Sequence, residues 1–477
     1  MNHSDELAIG SPYAPPPRRS WARRFLNKME VDRAVFFAVS QRAWQFLAGP
    51  ITLVLIARYF TPEEQGYYYT FWGIVGLQAF FELAMPQTII TTASHQWRSL
   101  KLGPRMEIQG DSDALARLTH LTKMSLAIFC SSAIVFSLCV GVFGIWFFSA
   151  EDHSIGVNWR SPWIVLVMLS GLTFTTIPLL SVLEGCNRVS DVYQLQLLRS
   201  VLGNLAVWVA IPLGFGLWVP ALAALVRLIC ESLFLIWRYR RFFASMRGLR
   251  STARIDWRSE VWPFQSRILI KGMLYYLNAD LMAPVIFHYH GAAWAGQLGM
   301  TLQILAAIRA ACSSWVRARY SQMGMLVAAG EFSELDRVFF RVASIGSVVM
   351  LTASAIYYLA VVTLPLIGPD YAVRLLPPTP TAILLVGMNA SLAVEFLWTY
   401  IHSHRVSPHL LLTIIGSLLS GLLIWWLGAM YDRIGVASAY CFVQAVLYLP
   451  LSIMAWANFR KRQDKSIVLQ TNASNEA

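Results

Sequence analysis

Arg188-Val189-Ser190 stands in a short polar turn between two apolar stretches, and Arg405-Val406-Ser407 stands in the same kind of turn 217 positions later. At that offset Trp208 falls on Trp425 and Val219 on Val436, so the register holds through two further apolar segments. Earlier in each half, Phe60-Thr61-Pro62-Glu63-Glu64-Gln65-Gly66-Tyr67 aligns at an offset of 230 with His290-Gly291-Ala292-Ala293-Trp294-Ala295-Gly296-Gln297, a weaker pairing in which only the Gly is shared. The chain reads as two copies of one six-helix unit. Duplicated helix bundles are an architecture of secondary transporters, which place the substrate site at the interface between repeats.

Composition agrees. Mean hydropathy is +0.52, 56% of the 477 residues are hydrophobic and 13% are charged, against about 25% charged in a soluble domain. Apolar windows of roughly 20 residues, enough to span about 30 Å of hydrocarbon, fall near 34–58, 67–92, 123–148, 162–183, 195–215, 217–237, 266–288, 292–316, 341–367, 380–401, 408–430 and 434–458. The expected fold class is an all-α polytopic membrane protein of about twelve transmembrane helices in two pseudo-symmetric bundles. Its parts are an N-terminal segment (1–33), a first bundle (34–238), a basic linker (239–265), a second bundle (266–459) and a tail (460–477).

The first 33 residues carry Pro15-Pro16-Pro17-Arg18-Arg19 and Trp21-Ala22-Arg23-Arg24-Phe25, without the cleavage site of a secretory signal. Residues 20–33 suit either a basic amphipathic helix on the membrane surface or a positive flank to the first span. With both termini cytoplasmic, 29 of the 38 Lys and Arg fall in the N-terminal segment, the even-numbered loops and the tail; the odd-numbered loops hold Arg58, Arg160, Arg374 and Arg433. That bias sets an N-in, C-in topology in a bacterial cytoplasmic membrane. The net charge of +12 is then mostly topogenic and calls for no nucleic-acid partner. The linker, from Arg238, Arg240 and Arg241 through Arg247, Arg250, Arg254 and Arg258 to Arg267, reads as a segment lying on anionic lipid, each basic residue contributing about 1 kcal/mol.

The six cysteines show no metal-site spacing and are expected to be free thiols. His288 with His290, and His402 with His404, make HxH pairs read as solvated turns rather than metal sites. The sequence contains no Gly-rich phosphate loop, nucleophile elbow or long extramembrane region, so no catalytic residue and no cofactor is assigned. Loops near 93–122, 238–265 and 317–340 read as connectors.

Nine ionisable residues lie within spans: Arg42, Glu82, Arg199, Arg227, Glu231, Lys271, Asp280, Arg309 and Glu395. A charge at mid-bilayer costs about 2.5–3.5 kcal/mol even on the lenient scale, so these must face the protein interior or a watery cavity. Arg42, Gln45, Gly49 and Thr52 form one helical stripe, and Ser391, Glu395, Thr399 and His402 form another. Lys271, Tyr275 and Asn278 share a face, whereas Asp280 lies about 180° from Lys271 unless the helix is distorted ahead of Pro284. By depth, Arg42 and Glu82 could pair, and Arg227 and Glu231 are four apart on one helix. Lys271, Arg309 and Arg199 have no obvious local partner and are candidate substrate-binding cations, with Arg42 and Arg227. Five cations against four anions suit an anionic head group such as phosphate. Asp280 and Glu395 are candidate proton-coupling groups, and Glu82 and Glu231 candidate ion-pair partners.

Arg58-Tyr59-Phe60-Thr61-Pro62-Glu63-Glu64-Gln65-Gly66-Tyr67-Tyr68 resembles the opening hairpin of polysaccharide (O-antigen-type) flippases of the multidrug/oligosaccharidyl-lipid/polysaccharide exporter superfamily. In those proteins the first helix is followed by a leu-gly-pro-glu-x-phe-gly-x-tyr pattern; here Phe60-Thr61 stands for leu-gly and Gln65 replaces phe. Gly185-Cys186-Asn187-Arg188 resembles the family's gly-x-x-arg turn, and Ile434-Gly435-Val436-Ala437-Ser438-Ala439 its gly-x-ala-ala entry to the last span. The resemblance covers about residues 34–459 and implies alternating access. An undecaprenyl-pyrophosphate-linked oligosaccharide would be taken from the cytoplasmic leaflet and released in the outer one. It also implies membrane lipids, a glycan polymerase or glycosyltransferases as partners, and leaves H+ or Na+ open as a coupling ion. It transfers no site residue. The 18 Trp suit sugar stacking or interfacial belts, and Gln41, Gln45, Asn278, Gln297 and Gln303 suit a sugar or interhelical bonds.

Two other readings compete. A cation-coupled multidrug or metabolite antiporter of the same superfamily would prefer an acidic cavity. A membrane-embedded glycan assembly enzyme would carry a longer exoplasmic loop. On the sequence, Lys271→Ala and Arg309→Ala are expected to impair transport more than folding.

Overall fold

In hydrocarbon every backbone N–H and C=O must be satisfied within its own segment, so apolar spans of this length become helices. The computed structural model describes residues 33–82, 85–149, 156–246, 274, 276–278, 280–404 and 410–461. The first half contains α1 (Arg33–Tyr59), α2 (Pro62–Val75), α3 (Gln78–Phe81), α4 (Met85–Trp97), α5 (Ser112–Ser149), α6 (Arg160–Thr173), α7 (Ile177–Gly185), α8 (Val189–Ala210), α9 (Trp218–Arg238) and α10 (Arg240–Ala244). The second contains α11 (Met282–His290), α12 (Ala292–Ala329), α13 (Phe332–Ile367), α14 (Pro369–Ala372), α15 (Pro378–Ser403), α16 (Leu410–Cys441), a π-helical segment Phe442–Tyr448 and a last helix over 449–461. The protein is an all-α polytopic membrane protein.

Six described helices are long and apolar enough to cross a membrane, or seven when the bent pair of 62–81 with 85–97 is one span. Twelve windows were expected, and the shortfall has physical causes. The stretch Leu412–Lys461 counts once although α16 is broken at Tyr431 and Asp432, where Asp432 adopts φ 52 and ψ −139. Arg42, Arg199, Arg309 and Arg317 lower the local hydropathy of α1, α8 and α12. The first eight residues of the seventh window, 266–273, lie outside the described residues, and with them Lys271, as do 247–265 of the linker region and the Arg405-Val406-Ser407 turn.

Two expected connectors carry structure. Within 93–122, strands β1 (Leu100–Leu102) and β2 (Ile108–Gly110) pair antiparallel. Ile108 N–H reaches Ser245 Oγ at 3.3 Å beside α10, and Trp97 packs on Phe242. Within 317–340, α12 and α13 continue well past their apolar windows and leave only Gly330 and Glu331 between them.

The halves meet mainly through α2 against α12 and α11. We call the side bearing the α1–α2 and α11–α12 turns the hairpin end, and the opposite side the linker end. Thr61 starts α2 as a reciprocal capping box: its Oγ1 accepts from Glu64 N–H at 3.1 Å and its N–H donates to Glu64 Oε2 at 2.9 Å, with Pro62 in the first turn. This fixes α2 for the crossing. A methyl group built on Gly296 would stand 2.8 Å from the Gly66 nitrogen, and one on Gly66 would overlap the Ala292 carbonyl, so the backbones approach as only small residues permit. Gly66 and Gly296 are the one residue shared by the two hairpins, so the weakest stretch of the repeat marks where the copies touch. Around them Tyr67, Phe148 and Phe287 form an aromatic seal, with the Tyr67 and Phe287 rings 4.9 Å apart.

Candidate functional site

The principal cavity, of about 870 Å³, lies in the second half under a ceiling from α2. Tyr68, Tyr69, Trp72 and Gly73 close it toward the hairpin end. From α12 its wall runs from Gly299 to Arg317, 18 residues apart, or about 27 Å at 1.5 Å per residue. Ser391, Glu395 and Trp398 of α15, Thr413 and Ser417 of α16, and Gln444 and Tyr448 of the π segment complete it.

Glu395 anchors the ionic end. Its Oε2 accepts from Arg309 Nη1 at 2.8 Å, and its Oε1 from Arg317 Nε at 3.1 Å and Nη2 at 2.7 Å. Arg309 has no partner at helical spacing in the sequence, and the structure supplies one from another helix. The pair joins residues 86 apart in sequence, on neighbouring helices. Arg317 was placed in a loop, but α12 carries it into the cavity wall. The Arg317 side chain is 57% exposed and Glu395 22%, so the cluster opens onto the cavity. The charged lining among the described residues is Arg309, Arg317, Asp280 and Glu395, formally balanced; Lys271, counted in the expected basic excess, lies outside the described residues. Asp280 sits where the helix is interrupted before Pro284: both Asp280 N–H and Leu281 N–H reach Tyr276 O, at 3.0 and 3.3 Å. This distortion lets Asp280 and Asn278 line one cavity.

A second cluster lies in the first half. Glu231, 0% exposed, is bonded by Arg199, by Arg227 Nε at 3.0 Å and by Thr176 Oγ1. Arg199, which has no local partner in the sequence, is therefore paired too, and the local Arg227–Glu231 pair is part of a larger knot. The pairing considered for Arg42 and Glu82 does not form. Glu82 accepts from Gln78 Nε2 at 2.6 Å and lies within electrostatic reach of Arg227. Arg42 is exposed on α1, near Tyr193 of α8. Neither residue lines the large cavity.

The hairpin end is held by groups the sequence did not single out. Gln65, 1% exposed, donates Nε2 to Gly296 O at 2.9 Å and to Arg374 O at 3.0 Å, tying α2 across to the second half. Its position is the one at which the resembled family pattern has phe, and that departure was the available signal. Nearby, the Arg433 guanidinium lies 3.9 Å from the Trp294 ring centre and donates to Gln297 Oε1, while Gln297 Nε2 donates to Val373 O at 2.9 Å. Burial lowers the Arg433 pKa, and Asp432 opposes the shift. His290, expected in a solvated turn, stacks on Trp294 with its Nε2 2.7 Å from Gly428 O.

At the linker end, Tyr239 donates to Asp191 Oδ2 at 2.6 Å, and burial with that carboxylate raises the phenol's pKa. In the second half Tyr400 donates to Asp336 Oδ1 at 2.8 Å, and Arg460 pairs with the same carboxylate. Phe332 and Phe459 pack on His404, whose burial lowers its pKa against the opposing pull of Tyr400 O and Asp336.

No family model matches the chain, and no curated protein matches it. Solved structures do. A multidrug resistance MATE family transporter of the MOP superfamily, in an inward-facing conformation, superimposes with a TM-score of 0.55 at 16% identity, covering 90% of this chain and 96% of that one. Lipid II flippase MurJ, in an inward closed conformation, gives 0.63 at 13% identity over 88% and 87%. A MOP superfamily transporter from Pyrococcus furiosus gives 0.50 at 14% identity over 90% and 95%. At these identities the likeness establishes architecture, and the chain shares the fold of these MOP superfamily transporters.

Proposed function

We propose that the protein is a flippase that moves a polyprenyl-pyrophosphate-linked oligosaccharide across the bacterial cytoplasmic membrane by alternating access, for cell-surface polysaccharide synthesis. The observation that carries this reading is the cavity itself. It combines exposed guanidinium groups, amides, hydroxyls and aromatic rings, a lining that can hydrogen-bond a sugar and meet a phosphate. The likeness to a lipid II flippase supports it, as does the opening hairpin. With both termini cytoplasmic, the sealed hairpin end faces outward, and the described state is inward-facing. In this reading the bundles span 34–238 and 266–459, joined by the basic linker at 239–265. Arg309 and Arg317 meet the pyrophosphate, Lys271 adds a further cation, and Asp280 with Glu395 couples translocation to H+ or Na+. Glycan polymerases or glycosyltransferases are the expected partners.

The test is to delete the gene in its host and label the lipid-linked oligosaccharide leaflet by leaflet. Build-up on the cytoplasmic face, reversed by the wild-type gene, is the expected result. Build-up of unpolymerised units on the outer face would indicate an assembly enzyme instead. The carboxylates Asp280 and Glu395 in the cavity favour a second reading, a cation-coupled multidrug or metabolite antiporter. Unchanged lipid-linked sugars together with lost dye efflux would select it.

A further inference from the structure

The ionic end of the cavity accounts for Arg309, Arg317 and Glu395, but the opposite wall is built differently. There the last span leaves α-helical geometry over Phe442–Tyr448, and Leu449 N–H bonds Gln444 O in the five-residue pattern of a π-helix. Single π-turns inside longer helices are frequent at functional sites, because they shift side-chain register locally. Here the turn brings Gln444 and Tyr448 into the cavity lining. Gln444 is 6% exposed, yet its amide makes no hydrogen bond to any described residue. Asn278 donates to Ser417 Oγ at 2.7 Å, while its Oδ1 is buried and unpartnered. Ser417 Oγ lies 3.3 Å from Tyr448 OH, which donates to Thr413 O at 3.1 Å. The wall therefore holds spare amide donors and acceptors beside a fixed hydroxyl chain. An unpaired buried amide costs about 1–3 kcal/mol, a cost that a ligand supplying matching groups removes.

Gln444, Asn278, Ser417 and Tyr448 suit a phosphate poorly, because they offer acceptors as well as donors and none of the four is a cation. A sugar hydroxyl both donates and accepts, and an acetamido group matches an amide. We propose that Gln444, Asn278, Ser417 and Tyr448 form a subsite for a neutral or N-acetylated sugar residue, and that Asp280 repels carboxylated sugars from it. The proposal rests on the flippase reading for its biological setting but not for its test.

The full chain in lipid nanodiscs is titrated calorimetrically with lactose, maltose, N,N′-diacetylchitobiose and the glucuronate-containing hyaluronan disaccharide. The expected result is saturable millimolar binding of at least one neutral sugar, with the acidic disaccharide about tenfold weaker or worse. Gln444→Leu should weaken the neutral sugar about tenfold, because sites built to hydrogen-bond a hydroxyl lose strongly when left unpaired. Tyr448→Phe keeps the ring and removes one hydroxyl, and should weaken it about threefold at an unchanged unfolding temperature. The subsite is overturned if no neutral sugar binds, if the acidic one binds equally, or if both variants bind as wild type. Sugar binding without lipid-linked build-up in the deletion strain would keep the subsite and remove the flippase. Build-up without sugar binding would do the reverse.

Discussion

Among the described residues each half of the molecule contains one carboxylate held by two arginines, and the two clusters differ in their access to water. Around Glu231, Arg199 and Arg227 close on a carboxylate with no exposed surface, and Thr176 takes its second oxygen. Around Glu395, Arg309 takes one oxygen and Arg317 the other, and Arg317 and part of the carboxylate stay open to the cavity. The same two residue types give a rivet in one half and a binding surface in the other. Charge composition does not distinguish them; the packing of the neighbouring helices does.

The largest expected effect tests the sealed cluster. Glu231→Ala leaves two guanidinium groups without their anion and should cost about 3–5 kcal/mol, seen as loss of folded protein in detergent by fluorescence-detected chromatography. Glu395→Ala should cost about 1 kcal/mol or less and fold normally, yet reduce glycan export severalfold at equal membrane abundance. Similar losses of folded protein from both variants would erase the distinction.

A smaller effect concerns closure of the hairpin end. Gln65→Leu removes two hydrogen bonds across the halves, each contributing about 0.5–1.5 kcal/mol. Modification of Ser391→Cys by an impermeant thiol reagent added from the hairpin side should then accelerate about tenfold. An unchanged rate would mean that the aromatic seal closes this end without help from Gln65.

The smallest effect is a pH dependence at the linker end. Burial lowers the His404 pKa in the folded state, so the unfolded chain takes the proton first. The resulting stability is fully present above pH about 6.5 and is lost as pH falls through the folded-state pKa. His404→Phe keeps the ring contacts with Phe332 and Phe459 and should flatten the fall in unfolding temperature toward pH about 5 by roughly 1–2 °C. A fall as steep as in wild type would assign it to other groups.

The architecture was legible because lipid leaves a chain few options: long apolar segments, a repeated turn and a repeated glycine gave the helices and their duplication. The capping box at Thr61 and Glu64 was also readable, as a Thr-x-x-Glu pattern with Pro62 at the first helical position. The charge partners were not. Arg199 and Glu231 are 32 residues apart, and Arg317 and Glu395 are 78 apart, so no helical spacing connects either pair. Arg317 was hidden further because its helix outlasts its apolar window. Gln444 was missed because a π-turn alters which way side chains point without changing composition.

The contact of Gly66 with Gly296 has an evolutionary consequence. The two copies have drifted until few residues match, yet these two positions, 230 residues apart, are held by one crossing: a methyl on Gly296 would meet the Gly66 backbone, and one on Gly66 would meet the backbone of Ala292, one turn before Gly296. They behave as a single locus under one constraint. In a saturation mutagenesis library, depletion at Gly66 should be mirrored at Gly296 and absent at Gly49 and Gly203, around which a methyl group meets nothing within 4 Å.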